Sequence, residues 1–416
     1  MNEARVPLLV ICMLLPLHAG AEQAAEAGPE VKLTNALRLN YASSDKWLSD
    51  ETHYVLATFE SKAVVAISPM VRGAFQVRAG TVSGPLGRSS VRFPFAYLDV
   101  KTPAVDFRIG KQILAWGRTD ALNPTDVVTP RDYTTMLPFD EDERAGLWGV
   151  RSNVYLSDAV VASVFLGVRS RPSTLPFVSR DAERYQFDTA GARRRQIGVR
   201  VSTSTGDMDF SVSAYRGASL LGQAMRIDTV PGQPDVTVLG YPLIDMLGAD
   251  FAKNFGKYGV RIEGASIRPH NHAALSTLGM QPYRYLVAGA DRTFLSELNV
   301  NLQLFARWAD NGALPQNSAP RVEALNNLIF VQTRKHTYGM TMRIANQWSN
   351  QTLGAELFVQ HYIGDNSTYL HPLVTYAISD QVKIAAGAVW YHGKEGTLFG
   401  VMKRNNAIFS ELRYSF

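Results

Sequence analysis

The sequence predicts an all-β chain folded as one transmembrane antiparallel β-barrel of roughly 16–18 strands. Three observations carry this. Apolar and polar side chains alternate with a period of two over many segments, and tight and long connections follow one another by turns. No apolar run reaches the roughly 18 residues needed to cross as a helix. In hydrocarbon every backbone N–H and C=O needs a partner, so strands can cross only as a closed barrel.

The alternation is explicit. Leu298, Val300, Leu302, Leu304, Ala306 and Trp308 share one face; Glu297, Asn299, Asn301, Gln303, Phe305 and Arg307 share the other. Val382, Ile384, Ala386, Ala388 and Trp390 oppose Gln381, Lys383, Ala385, Gly387, Val389 and Tyr391. Tyr338, Met340, Met342 and Ile344 oppose Thr341 and Arg343, and Leu353, Ala355, Leu357 and Val359 oppose Glu356 and Gln360. A strand between lipid and water reads this way. Along the chain the pattern places strands near 31–41, 52–62, 69–79, 91–101, 104–115, 146–156, 159–169, 194–204 and 207–217. It continues near 245–253, 256–267, 283–291, 297–308, 336–347, 350–362, 368–378, 381–392 and 407–416.

The connections agree. Thr102-Pro103, Ser157-Asp158, Thr205-Gly206, Asn254-Phe255 and Ser379-Asp380 are tight, turn-forming pairs. Between them lie long connections near 80–90, 116–145, 170–193, 218–244, 268–282, 309–335 and 393–406; only that near 363–367 is short where a long one is due. Short periplasmic turns and long external loops are the asymmetry of outer-membrane barrels. Trp308, Trp348, Trp390, Tyr338 and Tyr414 fall towards strand ends, where aromatic girdles belong. The last strand puts Leu412, Tyr414 and the terminal Phe416 on one face and Glu411 and Arg413 on the other. That ending is similar to the signal by which barrel-assembly machinery takes up outer-membrane barrels.

The N-terminus reads as a signal peptide over residues 1–21: Arg5, an apolar stretch from Val6 to Leu17, and the small residues Ala19-Gly20-Ala21 before Glu22. The only cysteine, Cys12, lies inside it after the bulky Ile11, which argues against lipidation. The mature chain then has no thiol chemistry. Residues 22–30 are read as a short periplasmic segment and 31–416 as the barrel. The expected location is the outer membrane of a Gram-negative cell, in contact with its lipid and lipopolysaccharide.

A barrel of this size leaves room for an aqueous lumen. The register turns Arg72, Arg78, Arg108, Arg151, Arg200, Arg261, Arg307, Arg343, Lys383 and Arg413 inward. The acids it turns inward are Asp106, Asp209, Glu263, Glu297, Glu356 and Glu411, so the basic excess favours anions modestly. Lys111 falls on the outward face; it reaches the outer interface or a bulge shifts the register there. With a net charge of +5 spread among acids, and one basic run at 193–195, nucleic acid is not an expected partner.

One stretch stands out. Gly110-Lys111-Gln112 is followed by Trp116-Gly117, Asp120, Asn123-Pro124 and Asp126, then Pro130-Arg131-Asp132-Tyr133. The pattern G-K-Q-x-x-x-W-G-x-x-D-x-x-N-P-x-D resembles a broad, largely uncharacterised set of porin-like outer-membrane barrels of proteobacteria. The resemblance implies a third external loop folded into the lumen. Because some of those proteins sit beside inner-membrane exporters of the resistance-nodulation-division type, it also implies an alternative role: export or transfer of a hydrophobic or lipidic substrate with such an exporter. From the residues, the loop is stiffened by Pro124, Pro130 and Pro138, and Asp120, Asp126 and Asp132 can each form turns. Asp140, Glu141, Asp142 and Glu143 make an acidic patch before Arg144. Asp120, Asp126, Arg131, Asp132, Asp140, Glu141, Asp142, Glu143 and Arg144 are therefore the expected constriction, with acids facing wall arginines.

Enzyme motifs are lacking: there is no G-x-S-x-G elbow, P-loop, H-E-x-x-H or G-x-G-x-x-G. His270 and His272 offer a metal pair without a nearby acid or thiol, and a barrel hydrolase would need His361 or His371 beside a serine. No cofactor, metal or enzymatic activity is expected. The expected function is a channel for small hydrophilic solutes, mildly anion-preferring.

Overall fold

The computed structural model describes residues 29–47, 51–82, 89–132, 144–169, 172–174, 183–189, 194–270, 279–294, 297–310 and 320–416. Among these the chain begins with β1 (Glu30–Trp47), β2 (Glu51–Ser68), β3 (Val71–Val82), β4 (Ser89–Arg92), β5 (Ala96–Lys101), β6 (Val105–Gln112), β7 (Leu147–Tyr155) and β8 (Val160–Gly167). It continues through β9 (Glu183–Phe187), β10 (Gln196–Thr205), β11 (Met208–Ala218), β12 (Gln223–Asp228), β13 (Asp235–Gly240), β14 (Leu243–Phe255), β15 (Tyr258–Pro269), β16 (Tyr283–Thr293) and β17 (Asn299–Ala309). After α1 (Pro320–Ile329) come β18 (His336–Trp348), β19 (Leu353–Tyr362), β20 (Ser367–Ala377) and β21 (Val382–His392), then α2 (Leu398–Val401) and β22 (Ala407–Ser415).

The wall is a closed antiparallel barrel of 18 strands. It closes where β1 pairs with β22 on one side and β2 on the other, so that Arg38 lies opposite both Arg413 and Thr58. The short β4 pairs only with the external end of β3, and β9, β12 and β13 form a separate three-stranded sheet. Every expected strand has its counterpart in the wall; β1 and β2 run longer than expected, to Trp47 and from Glu51.

The division of faces follows the alternation. Leu37, Leu39, Leu247, Leu304, Ile408 and Trp390 point outward and are exposed, as an apolar band against lipid requires. Trp308, Trp348, Tyr338 and Tyr414 also lie exposed on that face. Leu412 and Phe416 share it, and the Phe416 backbone exchanges hydrogen bonds with Asn35 at 3.0 Å in both directions.

The tight turns use hydroxyl chemistry. Ser68 Oγ accepts from Val71 N at 3.1 Å, Thr102 Oγ1 from Val105 N at 3.1 Å, and Ser379 Oγ from Val382 N at 3.1 Å. Two expectations shift here. β14 continues through Asn254 and Phe255 and turns at Gly256, whose φ of +61° suits glycine. Glu297 is not a wall residue: with φ at +61° it sits in the turn before β17, its N–H donating to Phe294 O at 3.1 Å. The register at Lys111 is unbroken, paired with Ala96 and Trp148, so Lys111 stays outward beside the exposed Trp148.

Candidate functional site

The inner wall pairs most of its arginines with acids. Arg38 donates to Glu411 at 2.7 Å, and both side chains are buried. Arg78 bonds Glu60 at 3.0 Å, Arg108 holds Asp99 through two donors at 2.6 and 2.8 Å, and Arg343 donates to Glu356 at 2.5 Å. Arg261 pairs with Asp291. Arg307 instead lies over the ring of Tyr283 at 3.7 Å, a cation–π contact. Of the inward residues, sequence reasoning missed Arg38, Lys62, Glu60, Asp99, Asp250 and Asp291. The inward basic excess is therefore largely neutralised in place.

The chain leaving β6 crosses to the far wall. Gly110, with φ at +128°, brings its backbone so close to β5 that a Cβ would meet Ala96 O at 2.4 Å. Gln112, fully buried, donates to Arg108 O at 3.2 Å and Gly149 O at 3.1 Å. Thr129 then bridges back to Leu114, accepting from its N–H at 2.8 Å and donating to its carbonyl at 2.6 Å. Trp116 lies against Gly198 of β10, where a Cβ would meet the indole at 2.6 Å. Leu114, Trp116 and Val128 thus join Phe165, Tyr215, Met246 and Ile267 of the inner wall in one apolar cluster.

A carboxylate on β15 receives this segment. Glu263 accepts from Arg118 N (2.9 Å), Thr119 N (3.2 Å), Thr119 Oγ1 (2.8 Å), Thr125 N (2.8 Å) and Thr125 Oγ1 (2.8 Å). Fully buried, this carboxylate takes from these donors the hydrogen bonds that water would otherwise supply. Beside it the Arg118 guanidinium donates to Asp250 at 2.8 Å and Asp209 at 3.1 Å, while Arg200 and Ser211 also bond Asp250. Arg118, Thr119 and Thr125 fall at the variable positions of the sequence motif, which gave no signal for them.

The expected loop residues distribute as follows. Asp120 meets Arg261 at 3.3 Å and bonds Asn301. Asp126 pairs with Arg144 at 2.9 Å and Arg131 at 3.4 Å, and also accepts from Trp116 N at 3.4 Å. Asp132 pairs with Arg92 of β4 at 2.6 Å. Asp140, Glu141, Asp142 and Glu143 lie outside the described residues.

A cleft of about 280 Å³ opens on the other side of this segment, lined by Lys62, Val64, Arg72, Ala74, Phe95, Tyr97, Arg108 and Ile113. Lys62 lies 5.9 Å from the centre of the Phe95 ring, and Arg108 lies 3.8 Å from that of Tyr97. Arg72 makes no ion pair among the described residues. Arg151 stands opposite Arg108 on β7.

On the external side, segments of several loops bond to one another. Asn326 of α1 clamps the edge of β12, accepting from Ala224 N at 2.7 Å and donating to Ala224 O at 2.9 Å. Arg321 pairs with Asp235 of β13 at 2.7 Å and holds its carboxyl below the ordinary value, with a second hydrogen bond from Thr229. Tyr241, next to β13, has its phenol pushed up to about 12 by burial. Gln223 accepts from Met280 N at 3.1 Å.

Among the described residues the candidate histidines sit apart from one another. His270 bonds Asp245 at 2.9 Å, and His272 lies outside the described residues. His361 is on the outward face and bonds Thr368 at 2.9 Å. His371 stacks on Tyr369 and Phe409, with ring centres 6.2 and 5.6 Å away. No group of three metal-ligating side chains occurs among the described residues.

No family model and no curated protein matches the chain. Solved structures do. OccD3 (OpdP) of Pseudomonas aeruginosa aligns over 93% of this chain and 91% of its own, with TM-score 0.55 and 11% identity. OpdK of the same organism, in a structure with vanillate, aligns over 93% and 98%, with TM-score 0.60 and 10% identity. OccAB1 of Acinetobacter baumannii aligns over 93% and 96%, with TM-score 0.57 and 9% identity. At such identities the likeness establishes the fold. The chain has the closed antiparallel β-barrel fold of these outer-membrane porins of Gram-negative bacteria.

Proposed function

We propose that the protein is a channel for small hydrophilic solutes, with a modest preference for anions, and that residues 113–132 form its constriction. The observation that carries this is the cleft of Lys62, Arg72 and Arg108 beside the docked segment. Two of its three cations lie against aromatic rings, and Arg72 has no acid of its own among the described residues. A small anion with a flat apolar body fits that combination: a carboxylate takes the guanidinium fork while a ring lies on Phe95 or Tyr97. Vanillate, the molecule with OpdK, has this chemistry. Of the remaining wall arginines, Arg38, Arg78, Arg200, Arg261 and Arg343 stay in ion pairs and offer little net charge, so the preference is modest rather than absolute.

The test is a planar bilayer with purified, folded protein under a salt gradient. Stable conductance steps with a reversal potential on the anion side support the proposal. Well-inserted protein without conductance, or with cation preference, overturns it.

A further inference from the structure

We infer that the external rim of the outward face, across β11, β14, β15 and β16, binds the phosphates of an outer-leaflet lipid of the lipopolysaccharide type. The inference rests on the barrel's membrane setting and not on its being a channel. Arg216, Asp245 and Arg268 lie in register on three neighbouring strands. Arg284 follows on β16, one pair lower, and beside it is Trp308 of β17. All three arginines are exposed on the outward face.

The charge on this rim is not cancelled. Both oxygens of Asp245 are taken, one by Arg216 at 2.5 Å and the other by His270 at 2.9 Å. Arg268 therefore stands beside a satisfied carboxylate and makes no ion pair among the described residues. Among the described residues Arg284 has only Asp310, at 3.9 Å and itself half exposed. Directly below lie the exposed apolar side chains Val212, Leu247, Ile262, Leu286 and Leu304. A lipid whose acyl chains cover that band brings its headgroup to the arginine level, where Trp308 marks the interface. Three strand spacings of about 4.8 Å put Arg216 and Arg284 roughly 14 Å apart, room for a headgroup with more than one phosphate. Guanidinium forks match phosphate oxygens, and zwitterionic lipid offers no such excess of negative charge.

The experiment titrates detergent-purified protein with phosphorylated lipid A, with dephosphorylated lipid A and with phosphatidylethanolamine, following bound lipid by native mass spectrometry. Wild type should bind the phosphorylated lipid at least about tenfold better than the other two, and this margin should shrink as salt rises. Arg268→Glu with Arg284→Glu should remove the margin, whereas Arg292→Glu at the periplasmic end should leave it. If the double variant does not fold, as judged by heat-dependent gel mobility, the milder Arg268→Gln with Arg284→Gln is used, with the salt series on wild type. Equal binding of phosphorylated and dephosphorylated lipid, or an unchanged margin in a folded double variant, overturns the inference.

Discussion

Thr125, near the middle of the loop that follows β6, places both its backbone N–H and its hydroxyl 2.8 Å from the same oxygen of Glu263 on β15. Replacing Glu263 with Gln keeps the shape but removes the charge and turns one acceptor into a donor. The loop should then lose roughly 2 kcal/mol of anchoring. Single-channel recordings should show flickering absent from wild type, and proteases should cut the loop faster. Quiet recordings and unchanged cleavage would show that the apolar cluster around Trp116 holds the loop without the carboxylate.

Arg118→Ala leaves Asp250 fully buried with Arg200 and Ser211 and takes away its closest cation. Breaking a buried pair from one side costs about 3 kcal/mol. The variant should unfold at clearly lower urea concentration in vesicles, and Arg118→Ala with Asp250→Asn should recover part of the loss. A double variant no better than the single would place the effect elsewhere.

Gly117 has φ at +92°, and a Cβ there would lie 2.5 Å from both Glu263 oxygens. Gly117→Ala should displace the loop as strongly as Glu263→Gln does. Gly206 is the control: φ is +61° but nothing lies within 4 Å, so Gly206→Ala costs only the left-handed strain of about 1–2 kcal/mol. The two urea midpoints, read together with channel noise, separate backbone strain from loss of the dock.

In the proposed anion cleft, Arg72→Gln should shift the reversal potential towards cations, more at low salt than at high. Arg78→Gln, whose guanidinium is already bonded to Glu60, should shift it less. Equal shifts from both would point to net lumen charge rather than to the cleft.

Asp235 supplies a pH test outside the membrane. Its carboxyl is held below the ordinary value, chiefly by the Arg321 hydrogen bond and then by Thr229. The contribution of that contact is therefore full above the carboxyl's unfolded value and fades as pH falls through the lowered one. Protection of the α1 amides, taken relative to their intrinsic exchange rate at each pH, should be high at neutral pH and fall in acid, and in Arg321→Ala it should be low at both. Protection in α1 that ignores pH would mean that the Asn326 clamp alone holds the helix.

The wall was legible because lipid outside and water inside impose a period of two that no local choice can evade. Where that pattern thins, so did the reading. Asp250 sits in Gly248-Ala249-Asp250-Phe251-Ala252 and Asp291 follows Ala288-Gly289-Ala290, so small residues on both faces hide the phase. Asp99 and Glu60 fall in strands that were expected, but their value lies in cross-strand partners, which alternation does not name. β4, β9, β12 and β13 span only four to six residues, too few for a period to declare itself. The loop motif was visible, and its glycines, tryptophan and Asp126 prove to build the loop, while the anchoring donors occupy its variable positions.

The dock on Glu263 also has a mechanical side. A wide barrel has no core of its own to resist flattening by the lateral pressure of a bilayer, since its strands are joined only edge to edge. The segment rooted between β6 and β7 bonds β11, β14 and β15, which lie well around the circumference. It therefore works as a strut along a chord, fixing the cross-section on that side. These bonds all fall on one side of the wall, so changes in membrane thickness or tension should be expressed first on the other, from β18 through β1.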